Sequence, residues 1–220
     1  MPLLENKIIA IENVWLSYTD KNILEDINLD IYQGDFLLIT GPNGGGKTSL
    51  LRTILRLQSP TKGRISFFRQ GEPVSSLDMG YLPQKNSIDS RFPITVEEVV
   101  ASGLMGNSLK GNTKFDSKKD IDEMLDLMGI TALRNKPIGV LSGGQLQRSL
   151  FGRALISKPE MLILDEPASY IDRQFGNRMF EILRDLSSNG TTIMMVSHEI
   201  EPFITLSNRN LYINHILGDR

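Results

Sequence analysis

The chain has 220 residues, 40% apolar and 23% charged, enough for one good-sized domain with a buried core and inconsistent with wholesale disorder. Its 24 basic and 26 acidic side chains leave a net charge of −2, which excludes the polycationic footprint of a nucleic-acid binder or of a protein adsorbed on anionic lipid. With no cysteine there can be no disulfide, in keeping with a reducing compartment.

In chain order, the N-terminal MPLLENKIIAIENVWLSY alternates and carries charge, unlike the apolar core of a signal peptide. INLDI (27–31) alternates apolar and polar, predicting a strand with one wet face. FLLIT (36–40) is a continuous apolar run, as expected of a strand buried on both faces of a parallel sheet. GPNGGGKT (41–48) follows it directly and matches G-x-x-x-x-G-K-[ST], a phosphate loop in the required strand-to-helix context. Gly41, Gly44 and Gly46 let backbone amides turn onto phosphate oxygens, with Pro42, Asn43 and Gly45 completing the loop and Ser49 behind it. Lys47 is expected to reach the β- and γ-phosphates of ATP, and the Thr48 hydroxyl to ligate Mg²⁺. TSLLRTILRL (48–57) then predicts a helix with Leu50, Leu51, Ile54 and Leu55 on one face.

After the short run MGYLP, Gln84 offers a neutral acceptor for a metal or water shell. Residues 85–158 read as polar loops and helices without a strand, an expected helical subdomain inserted into an α/β sheet domain spanning 1–220. Thr95 and Glu98 form a capping box, with Ile94 and Val99 placed for a hydrophobic staple. The stretch 105–119 is expected as a loop. Ile121, Met124, Leu125 and Met128 then repeat at helical spacing, closed by Gly129.

LSGGQLQR (141–148) opens a further helix, capped by Ser142 and expected to run to Ser157 ahead of Pro159. Its glycines, Gly143 and Gly144, cost roughly 1 kcal/mol each in a helical turn relative to alanine. An anion at the helix N-terminus is one reason to keep that backbone bare, and Gln145 completes the turn. MLILDEP (161–167) ends a buried strand in two carboxylates, costly unless they meet a cation or a proton. Asp165 is expected in a Mg²⁺ shell and Glu166 as general base to the attacking water. TIMMV (192–196) is a third buried strand, and His198 just beyond it could bond the γ-phosphate or the water. Tyr18 could stack on a purine. Alone, Gln84, His198 and Tyr18 are ordinary residues; together they carry weight.

GPNGGGKT, Gln84, LSGGQ, MLILDEP, Asp172 and His198, in this order, resemble the ATP-binding subunit of an ABC transporter along essentially the whole chain. The resemblance implies a P-loop ATPase with a RecA-like parallel core, an N-terminal antiparallel part and a helical subdomain. It also implies a head-to-tail homodimer, in which each ATP lies between one copy's phosphate loop and the other copy's LSGGQ. The second glycine turn then serves the neighbour's nucleotide. Implied roles are adenine stacking for Tyr18, metal contact and coupling for Gln84, a dimer contact for Asp172 and γ-phosphate contact for His198.

Gly45 and Tyr170 depart from the family, which often has serine or alanine at the first position and alanine at the second. The stretch 85–104, with Phe92-Pro93 ahead of Thr95, is similar to bacterial zinc and manganese importers; iron-chelate importers share the part after it but usually lack Phe-Pro. Integral-membrane permease subunits, touched by residues 85–98, and indirectly an extracytoplasmic metal-binding protein are the implied partners, at the cytoplasmic face of the plasma membrane. No regulatory domain is expected after residue 220. With two histidines and no cysteine the chain lacks a usual structural zinc set, so zinc would be cargo. A soluble iron–sulfur assembly ATPase stays open as an alternative. A chromosome-maintenance ATPase does not fit, since the 92 residues between Thr48 and Leu141 leave no room for long coiled coils. A small-molecule P-loop kinase leaves LSGGQ unexplained.

Overall fold

The computed structural model describes residues 6–18, 21–84, 93–105, 117–198, 201 and 203–219. These form two compact units, Met1–Leu77 with Ile182–Arg220, and Asp78–Glu181. The first unit begins with β1 (Lys7–Tyr18) and β2 (Lys21–Tyr32), which pair antiparallel. With β4 (Lys62–Arg69) and β5 (Glu72–Val74) they make a sheet in the order β2-β1-β4-β5. The alternation read in 27–31 holds: Ile27, Leu29 and Ile31 are buried while Asn28 is exposed.

In the same unit β3 (Phe36–Thr40) lies between two parallel neighbours, β8 (Thr192–Val196) and β9 (Arg209–Asn214). All five residues of β3 and of β8 are buried, as continuous apolar runs require of two-sided strands. At the entrance to β3 the buried Asp35 carboxylate pairs with Arg209 Nη1 at 2.8 Å and accepts from the Tyr32 amide at 3.0 Å. That pair sets β9 in register against β3 and satisfies a charge that would otherwise be costly there. The chain turns back at His215 into β10 (Ile216–Asp219), antiparallel to β9.

α1 (Lys47–Ile54) buries Leu50, Leu51 and Ile54. It stops three residues short of the expected end, because Arg56 adopts the left-handed backbone and Leu57 is solvent-exposed.

The second unit holds β6 (Met79–Leu82) parallel to β7 (Met161–Asp165), with all of β7 buried. Its helices are α2 (Val96–Ser102), α3 (Ser117–Leu127) and α4 (Gly143–Leu155). α5 (Arg173–Ser188) starts here and ends in the first unit. Among the described residues of 85–158 there is no named strand. The capping box is formed as expected: Thr95 Oγ1 accepts from the Glu98 amide and the Glu98 carboxylate accepts from the Thr95 amide at 2.8 Å. Those Thr95 donors hold the Glu98 carboxyl below its ordinary value, backbone first. The box therefore contributes its full stability above the ordinary carboxylate range and loses it as pH falls through the lowered value.

α3 begins at Ser117, so the last three residues of the loop expected over 105–119 are helical; residues 106–116, like 85–92 with Phe92, lie outside the described ones. Gly129 closes α3 as read, with φ +65° and the Ile130 amide donating back to Leu125. α4 ends at Leu155, two residues before the expected Ser157.

Candidate functional site

The chemistry-bearing residues fall into two groups, one in each unit. The first is the phosphate loop, carried from the buried end of β3 into α1. Gly41, Gly44 and Gly46 all have positive φ, at +144°, +78° and +98°, conformations that only glycine takes without strain. Gly46 caps α1 without a side-chain hydrogen bond, and the first turn carries no acidic residue. The opening amides of α1 are thus left to an anion, which the positive end of the helix dipole also favours. Lys47 is buried, and its ammonium donates to the carbonyls of Gly41 and Pro42, each at 2.9 Å. A cation is therefore already stored at the mouth of the loop. Pro42, Asn43 and Gly44 are exposed; Thr48 and Ser49 are half-buried in the first turn.

The β9–β10 hairpin shapes this loop. The His215 amide donates to the Gly45 carbonyl at 2.9 Å, and the His215 carbonyl accepts from Glu25 at 2.8 Å. A β-carbon on Gly41 would overlap the Ile213 carbonyl oxygen, and one on Gly45 would stand 2.9 Å from the same atom. Gly45, the departure from the family pattern, is thus matched to this hairpin. Gly41→Ala should weaken ATP binding more than tenfold and lower the melting temperature by at least about 5 °C, since the loop or β9 must move and the φ is strained. Calorimetry with nucleotide titration checks both. Unchanged binding would free the loop from its hairpin support. Tyr18 ends β1 half-exposed, and His198 lies exposed two residues past β8.

The second group surrounds the N-terminus of α4 and the segment after β7. Ser142 caps α4 in a reciprocal box: its Oγ accepts from the Gln145 amide at 3.3 Å, and Gln145 Oε1 accepts from the Ser142 amide at 3.0 Å. The Gly143 and Gly144 amides of the first turn stand outside that box. Gly144 has a second reason to be bare, one the anion argument does not include. A β-carbon there would lie 2.9 Å from the Tyr170 carbonyl oxygen. Residues 142–145 line a cavity of about 530 Å³ with Arg148, Tyr170 and Asp172. Tyr170 is exposed with φ +68°.

Asp172 caps α5, Oδ1 accepting from the Phe175 amide at 2.9 Å, and pairs through Oδ2 with the Arg148 guanidinium. The Phe175 amide first, and then Arg148, hold the Asp172 carboxyl below its ordinary value. Arg148 also lies over the Phe175 ring, 4.5 Å from its centroid. The sequence reading missed Arg148.

Asp165 closes β7 and is 1% exposed. Glu166 is half-buried, with φ +53°. Gln84 Nε2 lies 3.4 Å from Glu166 Oε2, so the structure brings these two expected residues together. The amide that was read as a metal or water ligand is placed to steady the candidate base. Among the described residues no group of three or more His, Cys, Asp and Glu could hold a metal ion. Thr48, Asp165 and Gln84 each carry an oxygen that suits Mg²⁺, a cation that at nucleotide sites takes most of its ligands from phosphates and water.

A phosphate loop on a buried parallel strand, a capped LSGGQ helix and a strand ending in two acids define a nucleotide-hydrolysing cassette. The family model described as ABC transporter matches residues 24–169, and the chain belongs to that family. It is an ATP-binding subunit with ATPase activity. The zinc uptake system ATP-binding protein ZurA of Listeria monocytogenes is 38% identical over 219 residues, covering 96% of this chain and 82% of that one. The zinc import ATP-binding protein ZnuC of Haemophilus influenzae is 34% identical over 211 residues, covering 96% and 73%. Among solved structures, an inward-facing metal-chelate type ABC transporter matches with TM-score 0.77 and 28% identity, covering 97% of this chain and 84% of that one.

Proposed function

We propose that this subunit powers uptake of a divalent metal ion, zinc or manganese, through partner permease subunits at the cytoplasmic face of the plasma membrane. The observation carrying the cargo is the similarity, over nearly the whole chain, to subunits named for zinc uptake and zinc import. No described helix is long and apolar enough to cross a membrane, so the passage itself falls to those partners. An extracytoplasmic metal-binding protein delivers the cargo.

In this reading ATP phosphates displace the loop carbonyls from Lys47 and take the amides of Gly41, Gly44 and Gly46. Thr48, Asp165 and Gln84 are the residues that would hold Mg²⁺, which would offset phosphate charge when bound. Glu166 accepts the proton of the attacking water, Gln84 keeps the carboxylate aimed, and His198 bonds the γ-phosphate. Tyr18 stacks on the adenine. The amides of Gly143 and Gly144, with Ser142 and Gln145, receive the γ-phosphate held by a second copy, and Asp172 completes that contact.

A strain lacking the gene should stop growing when zinc or manganese is chelated and recover when the metal is restored. Normal growth under chelation, with failure on an iron chelate as sole iron source, would move the cargo to the iron-chelate class.

A further inference from the structure

We infer that Gln147 is a positioning residue for Glu166, holding the strained turn that presents the carboxylate; this rests on the reading of Glu166 as the general base. Gln147 occupies the first place of an apolar helical stripe on α4, followed by Leu150, Phe151 and Ala154 at i+3, i+4 and i+7. It is 1% exposed. Nε2 donates to the Pro167 carbonyl at 3.3 Å, while Oε1 is buried without a hydrogen-bond partner. An apolar residue of the same shape would avoid that unmet acceptor, so stability alone does not explain an amide here.

What the amide touches does explain it. Pro167 follows Glu166, whose left-handed backbone is unfavourable for any residue with a side chain. The proline adds to the strain, since it pushes its predecessor towards extended conformations. Such a conformation persists only where its surroundings over-determine it. Locally, the Ser169 amide closes the turn onto the Glu166 carbonyl at 3.2 Å. From outside the turn, three positions of α4 hold the same segment: Gly144 lets the Tyr170 carbonyl approach, Arg148 pairs with Asp172, and Gln147 grips Pro167. Of these only Gln147 acts on the residue next to Glu166. The helix that opens with LSGGQ thereby fixes the base of its own chain.

Gln147→Met keeps length and volume and removes the donor. In the purified full chain it should melt within a few degrees of wild type, bind ATP with unchanged Kd, and lower kcat at least tenfold with KM unchanged. Added to Glu166→Gln, it should not slow residual single-turnover hydrolysis any further, because the group it positions is already gone. An unchanged kcat in the folded variant would overturn the inference. So would an equal further loss in the Glu166→Gln background, which would place the effect elsewhere. If Gln147→Met does not fold, Gln147→Leu is read by the same two criteria. Should Glu166→Gln alone turn over normally, it is the reading of the base that fails.

Discussion

Glu166→Gln should keep ATP and lose turnover, with kcat falling by about 10²- to 10⁴-fold, the range a positioned general base contributes. The substitution keeps side-chain size and leaves Lys47 and the loop glycines untouched, so the ATP affinity should stay within about twofold. Gln84 would then face an amide where it now faces the Glu166 carboxylate at 3.4 Å. If, as proposed, hydrolysis releases a nucleotide held between two copies, the variant should accumulate as an ATP-bound dimer. Turnover at the wild-type rate would take the catalytic role away from Glu166.

Lys47→Ala should produce a comparable loss through binding. The ammonium of this buried lysine is held between two carbonyls of the loop, at 2.9 Å from each. Removing it deletes the charge proposed to meet the phosphates and takes one donor from each carbonyl, although the Pro42 carbonyl keeps the Gly45 amide at 3.1 Å. ATP affinity should fall at least tenfold and hydrolysis should fall to background. The fold should survive, because the glycine conformations and the His215 contact with Gly45 do not depend on the lysine. Tight ATP binding by a folded Lys47→Ala protein would show that the loop amides alone suffice.

The parts legible in the sequence were those written in local pattern. Three continuous apolar runs gave β3, β7 and β8 residue for residue, since a strand buried on both faces shows its length directly. The caps at Thr95, Gly129 and Ser142 were legible because each is closed by residues within one turn. The loop glycines could be read as a candidate phosphate site from their spacing and strand-to-helix context. What supports them could not: Gly41 and Gly45 abut Ile213 and His215 some 170 residues later. No local pattern encodes that hairpin. α1 fell short of its apolar periodicity because the left-handed Arg56 stopped the helix first, and α4 ended two residues before the Ser157 expected ahead of Pro159.

Near the acids the missing information was conformational. The motif supplied Glu166 as a candidate base but not its left-handed backbone, which depends on what grips the turn. Gln147 did leave a trace, a polar residue at the head of an apolar stripe, but only burial turns that trace into a contact. Gly144 shows the opposite case. One sufficient reason for a glycine, an anion at the helix end, concealed a second, the close approach of the Tyr170 carbonyl.

The claim that one copy's LSGGQ serves another copy's nucleotide is tested most directly by mixing two disabled chains in the Glu166→Gln background. One carries Lys47→Ala and the other Gly143→Asp, which sets a side chain and a negative charge where the γ-phosphate would sit. Neither alone should dimerise with ATP. In the mixture, one site pairs both lesions, while the other pairs an intact phosphate loop with an intact LSGGQ. Size-exclusion chromatography with labelled ATP should therefore show a mixed dimer holding one nucleotide. If each chain used its own LSGGQ, both sites of the mixed dimer would be damaged, and a mixture that stayed monomeric and empty would contradict the shared site.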